Sequence, residues 1–456
     1  MKYFFDPTII REYDIRGIYG DTLKKNDAKV IGHIFGLSLN KNKVVNICCD
    51  GRKSSQPLKE KLIEGLSEVG CNIIDIGVGP TPMLYYSNFL NDSEAGIMIT
   101  GSHNPSSHNG FKIVKNKMSF FGIDLKNLAK SAENYDLSVK ISSYKKCDIE
   151  DDYVNMLIKS LKQEKNLNIV WDAGNGSAGN VMRKIAHQVK GETILLYDDI
   201  DGDFPNHHPD PSDPNTLKDL IKSVKQNNMD LGIAFDGDGD RIGVVDNEGN
   251  IIPGDLLLLL LGIDVLKKNE GACIIGDVKC SQVLFDEIEK NGGRAIMSKT
   301  GHSLIKDCMK KESADLAGEM SGHIFFADDY YGFDDALYAS IRLLNILSKS
   351  KKKLSELIFQ FPKLYNTPEI RINCDDKEKF RIIEQIISNQ KNNNYSAIDG
   401  IRVKYEHGWW LMRASNTQAA IVLRCEANTL EGLNIMKERV KEELKRVKPE
   451  LVQQIT

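Results

Sequence analysis

Leu231-Gly-Ile-Ala-Phe-Asp236-Gly-Asp-Gly-Asp-Arg241-Ile-Gly-Val-Val245 is the stretch on which the reading of this chain turns. Its two apolar flanks, 231–235 and 242–245, read as buried strands. Between them Asp236, Asp238 and Asp240 alternate with glycines, and Arg241 closes the run. Aspartate at every second position supplies hard oxygen ligands, and the glycines let a short loop curl them onto one point. Such a donor set suits Mg²⁺, which takes oxygens in a tight octahedron and shares them readily with phosphate. Arg241 adds a planar fork for phosphate oxygens. An EF-hand is excluded, because positions six and twelve counted from Asp236 are Arg241 and Asn247 rather than Gly and Glu. A two-residue hairpin turn does not call for three acids at alternate positions.

The bulk properties narrow the classes. A chain of 456 residues exceeds what one core can bury and points to three or four domains. A net charge of −4 and no basic stripe argue against nucleic acid as a partner. Nine cysteines, an odd number without a C-x-x-C pair and with Cys48 and Cys49 adjacent, read as reduced thiols in a cytosol. The first residues meet charge too early for a signal peptide. The leucine run 256–261, bounded by Asp255 and Asp264, is too short for a bilayer and reads as a core helix. The expectation is a cytoplasmic protein without a membrane segment.

A pattern recurs three times. Strands ending in aspartate lie at 44–50, 168–172 and 272–277, each followed by a helical stretch and a glycine-led strand at 70–76, 191–197 and 293–297. Third strands follow at 95–100, 230–235 and 314–317. Strands alternating with helices imply parallel sheets with covered faces, here three units of roughly 100 to 150 residues. After the third strands come Thr100-Gly-Ser-His-Asn-Pro105, the aspartate loop, and Gly318-Glu-Met-Ser-Gly-His323. Ligands in open α/β sheets bind beyond the carboxyl ends of strands, so these loops are expected to converge on one cleft. The tail differs: a helix at 379–390, strands at 400–405 and 419–425 and a charged helix at 430–447 suggest a small α+β domain. Trp409 to Gln418 falls between its strands and holds Arg413-Ala-Ser-Asn-Thr417, a group suited to phosphate. The expected divisions are 1–148, 149–250, 251–364 and 365–456.

Each signal has a plainer reading. Ser102, with His103 adjacent as a possible base, serves equally as a nucleophile or as a helix N-cap ahead of Pro105. A G-x-S-x-G elbow is excluded by Asn104. Gly174-Asn-Gly-Ser-Ala-Gly179 matches the dinucleotide fingerprint, with Asp198 and Asp199 about 20 residues on, but it opens the second unit rather than the first. Glycine also favours any close strand-to-helix turn. His207 and His208 lack a third ligand and read as polar surface. Tyr13 and Arg16 fit a first-strand turn, and Lys112 and Lys279 fit exposed lysines.

Taken together, the four loops resemble those of the α-D-phosphohexomutases, and within them the bacterial phosphomannomutase/phosphoglucomutases. The motifs 100–105, 236–241, 318–323 and 413–417 stand in that family's order, and the resemblance covers essentially the whole chain. It implies three similar mixed α/β domains plus a C-terminal α+β domain around a central cleft. It implies a phosphoserine at Ser102, and Mg²⁺ held by its phosphate with Asp236, Asp238 and Asp240. The reaction implied interconverts hexose 1-phosphate and hexose 6-phosphate through a hexose 1,6-bisphosphate, with glucose 1,6-bisphosphate as activator. Arg241 would offset phosphoryl charge, and Lys112, its pKa lowered by desolvation, or His302 would move the proton. Tyr13, Arg16 and Lys279 match positions lining the family's cleft. Glu319, Ser321 and His323 would read sugar hydroxyls, leaving C2 unread so that mannose and glucose phosphates both fit. Arg413, Ser415, Asn416 and Thr417 would grip the other phosphate. A phosphoglucosamine mutase and a non-catalytic sugar-phosphate-binding protein are the competing readings, and monomer or dimer stays open.

Overall fold

The computed structural model describes residues 2–40, 43–135, 141–390, 394–416 and 418–455. The threefold pattern is realised as three sheets with one wiring. In the first, Asn72–Val78, Val44–Cys49, Ala95–Ile99 and His108–Lys115 lie side by side in that order. The second repeats it with Thr193–Leu196, Ile169–Asp172, Leu231–Phe235 and Ile242–Asp246. The third uses Arg294–Ser298, Cys273–Asp277, Leu316–Gly318 and Ile324–Phe326. In each, the three leading strands of the repeat run parallel and the last returns antiparallel on the third. Helices Ser55–Glu68 and Thr81–Leu90, Gly179–Ala186 and Lys218–Gln226, and Gln282–Lys290 and His302–Glu312 fill the crossovers. The first sheet gains Ile15–Ile18, Met118–Ser119 and Ser143–Lys146, and the second gains Ile251–Ile252.

The central strands are buried and largely apolar because helices cover both faces: every residue of Leu231–Phe235 and of Cys273–Asp277 is buried. The strand-end aspartates make one turn three times. Asp50 accepts from the amide of Arg52 at 3.0 Å, Asp172 from Gly174 at 2.8 Å, and Asp277 from Lys279 at 3.2 Å. An aspartate that bonds the backbone two residues on fixes the exit of each strand.

The fourth sheet is antiparallel, in the order Tyr365–Asn366, Ala420–Ala427, Gly408–Ala414, Ile401–Tyr405 and Tyr395–Ser396, with Ile370–Asn373 also paired to Ala420–Ala427. Helices Glu378–Asn389 and Leu430–Val447 cover one face. Here the sequence reading is corrected. Gly408–Ala414 is not a connecting loop but the sheet's central strand, its Trp409-Trp-Leu-Met run buried between two neighbours. A continuous apolar stretch marks a strand covered on both sides, and the tryptophans obscured that signal.

A single apolar cluster runs through the first three units, from Met83 and Tyr86 through Tyr153 and Trp171 to Leu258 and Leu337. The fourth domain has its own core and meets the third through Val278, Trp409 and Leu411. Arg402 seals that joint, donating to the carbonyls of Val278 and Cys280 and lying 3.7 Å over the Trp409 ring. Among the described residues no helix is long and apolar enough to cross a membrane. All nine cysteines are free thiols.

Candidate active site

The loops after the third strands do converge. Asp236–Arg241 is the tip of the hairpin made by Leu231–Phe235 and Ile242–Asp246. The hairpin, weighed against a metal loop in the sequence, is therefore its support. Gly239 takes φ +72°, and a Cβ on Gly237 would stand 2.4 Å from the carbonyl of Ser102, so glycine lets the serine loop close on the acidic one.

Asp236, Asp238 and Asp240 are fully buried, and one oxygen from each lies within 4.8 Å of the others. Asp236 accepts from the amides of Asp240 and Arg241 at 3.0 and 3.1 Å and from Ser102 Oγ at 2.9 Å. Burial, with Asp240 and Asp238 adding to it, pushes its pKa well above the ordinary carboxylate value. Asp238 Oδ1 and Asp240 Oδ1 are buried without a hydrogen-bond partner among the described residues. Crowded carboxylates, one of them driven toward protonation, with oxygens left over, fit a divalent cation.

Ser102 is buried at φ +48° in a turn that leads straight into His108–Lys115. No helix begins there, so the N-cap reading fails. Its carbonyl, with those of Asn104, Pro105 and His108, receives the guanidinium of Arg52, which also bonds Asp50. Asp50 accepts in turn from Thr100 Oγ1 and the Gly101 amide. Asp50 and Arg52 were missed in the sequence, although the strand-end position of Asp50 marked it. His103 Nδ1 lies 3.3 Å from Ser102 Oγ, and burial beside Arg241 holds that imidazole well below its usual pKa. Arg16 braces the same loop at Asn104 Oδ1, 3.0 Å away.

Lys112 is buried rather than exposed and donates to Asp238 at 2.7 Å and to Asp240. The expected lowering of its pKa is corrected: burial does lower it, but the two carboxylates outweigh burial and hold the ammonium above the ordinary value. The same contact overcomes burial at Asp238 and lowers that carboxyl. Thr81, from the first unit, bonds Asp238 through its hydroxyl and its amide.

Arg241 Nε donates to His323 Nε2 at 2.9 Å, which leaves the His323 proton on Nδ1, 3.1 Å from Asp334. Asp334 also faces His302 at 3.7 Å and Lys306 at 2.9 Å. Burial first, then Lys306, keeps His302 well below the usual histidine range. Asp334 and Lys306 were not singled out, since neither stands in a motif. Glu319 is buried and accepts from the Gly301 amide at 2.6 Å, and burial raises its pKa. Ser321 lies two residues along the same turn, half-buried.

The fourth domain reaches the cleft through Asn416, Asp399 and Glu369, Asp399 accepting from the Thr300 amide at 3.1 Å. Asn416 donates to the Tyr13 hydroxyl, which donates to the carbonyl of Thr300 at 2.7 Å, so three domains meet at Tyr13. Arg413 is braced by Asp399 at 2.9 Å, and Lys279, buried too, pairs with Glu369 at 2.9 Å. Ser415 is buried beside them. Thr417 lies outside the described residues. The Gly174–Gly179 run packs on the acidic loop, the Ser177 amide donating to the carbonyl of Gly237. A Cβ on Gly179 would stand 2.1 Å from the Asp198 carbonyl, so its glycines serve packing rather than a dinucleotide. His207 turns inward to Asp172 at 3.0 Å.

Four family descriptions match in succession: "Phosphoglucomutase/phosphomannomutase, alpha/beta/alpha domain I" over residues 7–136, domain II over 151–249, domain III over 253–365, and the C-terminal domain over 369–443. This chain belongs to the phosphoglucomutase/phosphomannomutase family. It is 46% identical over 448 residues to a phosphomannomutase/phosphoglucomutase of Pseudomonas putida, covering 97% of each chain. It is 40% identical to a phosphoglucomutase of Neisseria gonorrhoeae, covering 95% of this chain and 96% of the relative. A crystal structure of a family member from Burkholderia thailandensis superposes with a TM-score of 0.91 at 38% identity, over 98% of this chain and 99% of that one.

Proposed function

We propose that this enzyme reversibly converts hexose 1-phosphates into hexose 6-phosphates and accepts both mannose and glucose phosphates. The observation that carries the reading is Ser102 Oγ, 2.9 Å from Asp236, at a buried junction of serine loop and acidic loop. Ser102 carries the phosphoryl group. A bond forms from phosphorus to the free sugar hydroxyl as the Ser102 Oγ–phosphorus bond breaks, giving a hexose 1,6-bisphosphate. That intermediate turns over in the cleft, and Ser102 takes back the other phosphate. Glucose 1,6-bisphosphate, as activator, loads Ser102.

Asp236, Asp238, Asp240 and the Ser102 phosphate would hold Mg²⁺, which when bound would supply positive charge to offset that on the phosphoryl oxygens. Arg241, fixed by His323, presents its remaining guanidinium nitrogens to the transferring group. The hydroxyl proton is assigned to Lys112, which must first give up a proton of the ammonium that Asp238 and Asp240 hold, with the neutral imidazoles of His302 and His103 as the other acceptors at hand. Glu319, Ser321 and His323 bind sugar hydroxyls other than C2. Arg413, Ser415, Asn416 and Thr417 grip the non-transferring phosphate, and Tyr13, Arg16 and Lys279 line the cleft. The divisions 1–148, 149–250, 251–364 and 365–456 are proposed as its domains, and the cytoplasm as its compartment.

Phosphorus NMR tests the reading. Purified protein with Mg²⁺ and a trace of glucose 1,6-bisphosphate receives glucose, mannose or glucosamine 1-phosphate in separate tubes. Conversion of the first two to 6-phosphates is the expected result. Conversion of glucosamine 1-phosphate alone would make it an amino-sugar mutase, and silence in all three would leave only sugar-phosphate binding.

A further inference from the structure

Between the first and third units lies a cavity of about 300 Å³ that none of the proposed site residues lines. Its aromatic wall comes from two units. Tyr85 and Phe89 belong to Thr81–Leu90, and Tyr331 and Phe333 follow the strand Ile324–Phe326. The rings touch across the joint, Phe89 to Tyr331 at 4.6 Å and Tyr85 to Phe333 at 5.4 Å. Core packing explains rings that meet, but not the charge set over them.

Three lysines line the same cavity, and no carboxylate does among the described residues. Lys117 Nζ lies 4.6 Å over Phe89 and Lys310 contacts Met118 Sδ, and neither has an ion pair among the described residues. Lys306 Nζ lies 4.5 Å over Tyr85. In a chain of net charge −4, three ammonium groups on one apolar cavity mark a place for an anion. The aromatic side chains offer apolar contact to a planar group, while the ammonium groups that lie over the Phe89 and Tyr85 rings take a phosphate. The volume is at the small end of ligand pockets, room for one ring system and one phosphate.

We propose that this cavity binds a nucleoside monophosphate, the base against the aromatic wall and the phosphate among Lys117, Lys306 and Lys310, and that its occupation slows turnover. The second half follows from Lys306. Its ammonium is shared between the cavity and Asp334 Oδ1, 2.9 Å away, and Asp334 in turn faces His302 and His323. A phosphate in the cavity competes with Asp334 for that ammonium and loosens the support of the histidine that fixes Arg241.

Adenosine 5′-monophosphate is titrated calorimetrically into the full-length protein and into a Lys117→Glu/Lys310→Glu variant, neither position belonging to the catalytic machinery. The wild type is expected to bind, the variant to bind at least about tenfold more weakly, and adenosine and ribose 5-phosphate to lose a similar factor. The variant keeps basal mutase turnover, and nucleotide slows the wild type but not the variant. No binding at millimolar nucleotide overturns the proposal. So does equal affinity in the variant, which would put the nucleotide in the catalytic cleft, or equal affinity for ribose 5-phosphate. Binding with unchanged wild-type turnover overturns the coupling through Lys306. The binding arm stands or falls without reference to which sugar is the substrate.

Discussion

Glu369→Gln separates the fourth domain's hold on the cleft from its packing. Glu369 opens that domain, and Lys279 stands at the end of a third-unit strand, so their 2.9 Å ion pair spans the joint. Their side chains are 19% and 8% exposed, so solvent screens the pair weakly. Burial raises the Glu369 pKa, but Lys279 more than reverses it and brings the carboxyl from 4.5 to about 2. A shift of that size, at about 1.4 kcal/mol per unit, corresponds to about 3 kcal/mol of preference for the charged form. Because the folded pKa lies below the unfolded one, this stability is complete above about pH 4.5 and drains as pH falls toward about 2. The assay is a double-mutant cycle of Glu369→Gln with Lys279→Met by urea unfolding. A coupling of about 3 kcal/mol is expected at pH 7, reduced by about half at pH 3. Lys279→Met alone should cost more than Glu369→Gln, because it takes the ammonium from both Asp277 and Glu369, the latter keeping Arg371 at 3.5 Å, whereas in Glu369→Gln Lys279 keeps Asp277 at 3.7 Å. Glu369→Gln also releases the ammonium to substrate phosphate, so KM should fall. Coupling under about 0.5 kcal/mol at pH 7, or coupling indifferent to pH, would refute the reasoning.

Ser102→Ala should lower turnover by about a thousandfold or more with folding intact, and abolish the phosphate-sized mass increment in the intact protein. Asp238→Asn, which keeps the shape but removes one ligand charge and half of the pairing of Lys112, should weaken Mg²⁺ dependence at least about tenfold in a metal titration. Chelator should silence the unmodified chain. His207 is paired with Asp172, and that contact outweighs burial and raises its pKa. Its contribution to stability is therefore full below about pH 6.5 and lost as pH rises through the raised value. His207→Gln should lower the urea midpoint at pH 6 and leave it nearly unchanged at pH 9.

The fold was legible because the chain states its unit three times. Period, strand-end aspartate and loop chemistry recur together, and the wiring of one sheet is that of the other two. The metal loop was legible for a related reason: its ligands are near neighbours, so spacing alone places their oxygens at one point. Where the reading fell short, a local rule met a tertiary demand. Trp409 to Met412 looked like an interruption because bulky aromatics sit at the centre of a sheet covered by both a helix layer and the third domain.

Spacing could least reveal the contacts that join one unit to another. Thr81 meets Asp238, and Glu369 meets Lys279, from different domains. Lys112 of the first unit lies between two aspartates of the second. Arg241 of the second meets His323 of the third. Lys112 with its two aspartates, and Lys279 with Glu369, find these counter-charges only across a joint, and burying any of them there without its partner would cost several kcal/mol per ion. The cleft's electrostatics therefore depend on assembly. Substrate that brings two phosphates' worth of charge between the same domains adds to a balance already set across their joints, and a change at one joint must be felt at the others. On this argument Tyr13, where three domains meet through one hydroxyl, is the position at which Phe should loosen the fourth domain without touching any charge. Faster hydrogen exchange across Gly408–Ala414 in Tyr13→Phe is the expected result, and unchanged exchange there would mean that Arg402, the Trp409 packing and the Lys279–Glu369 pair hold the joint without Tyr13.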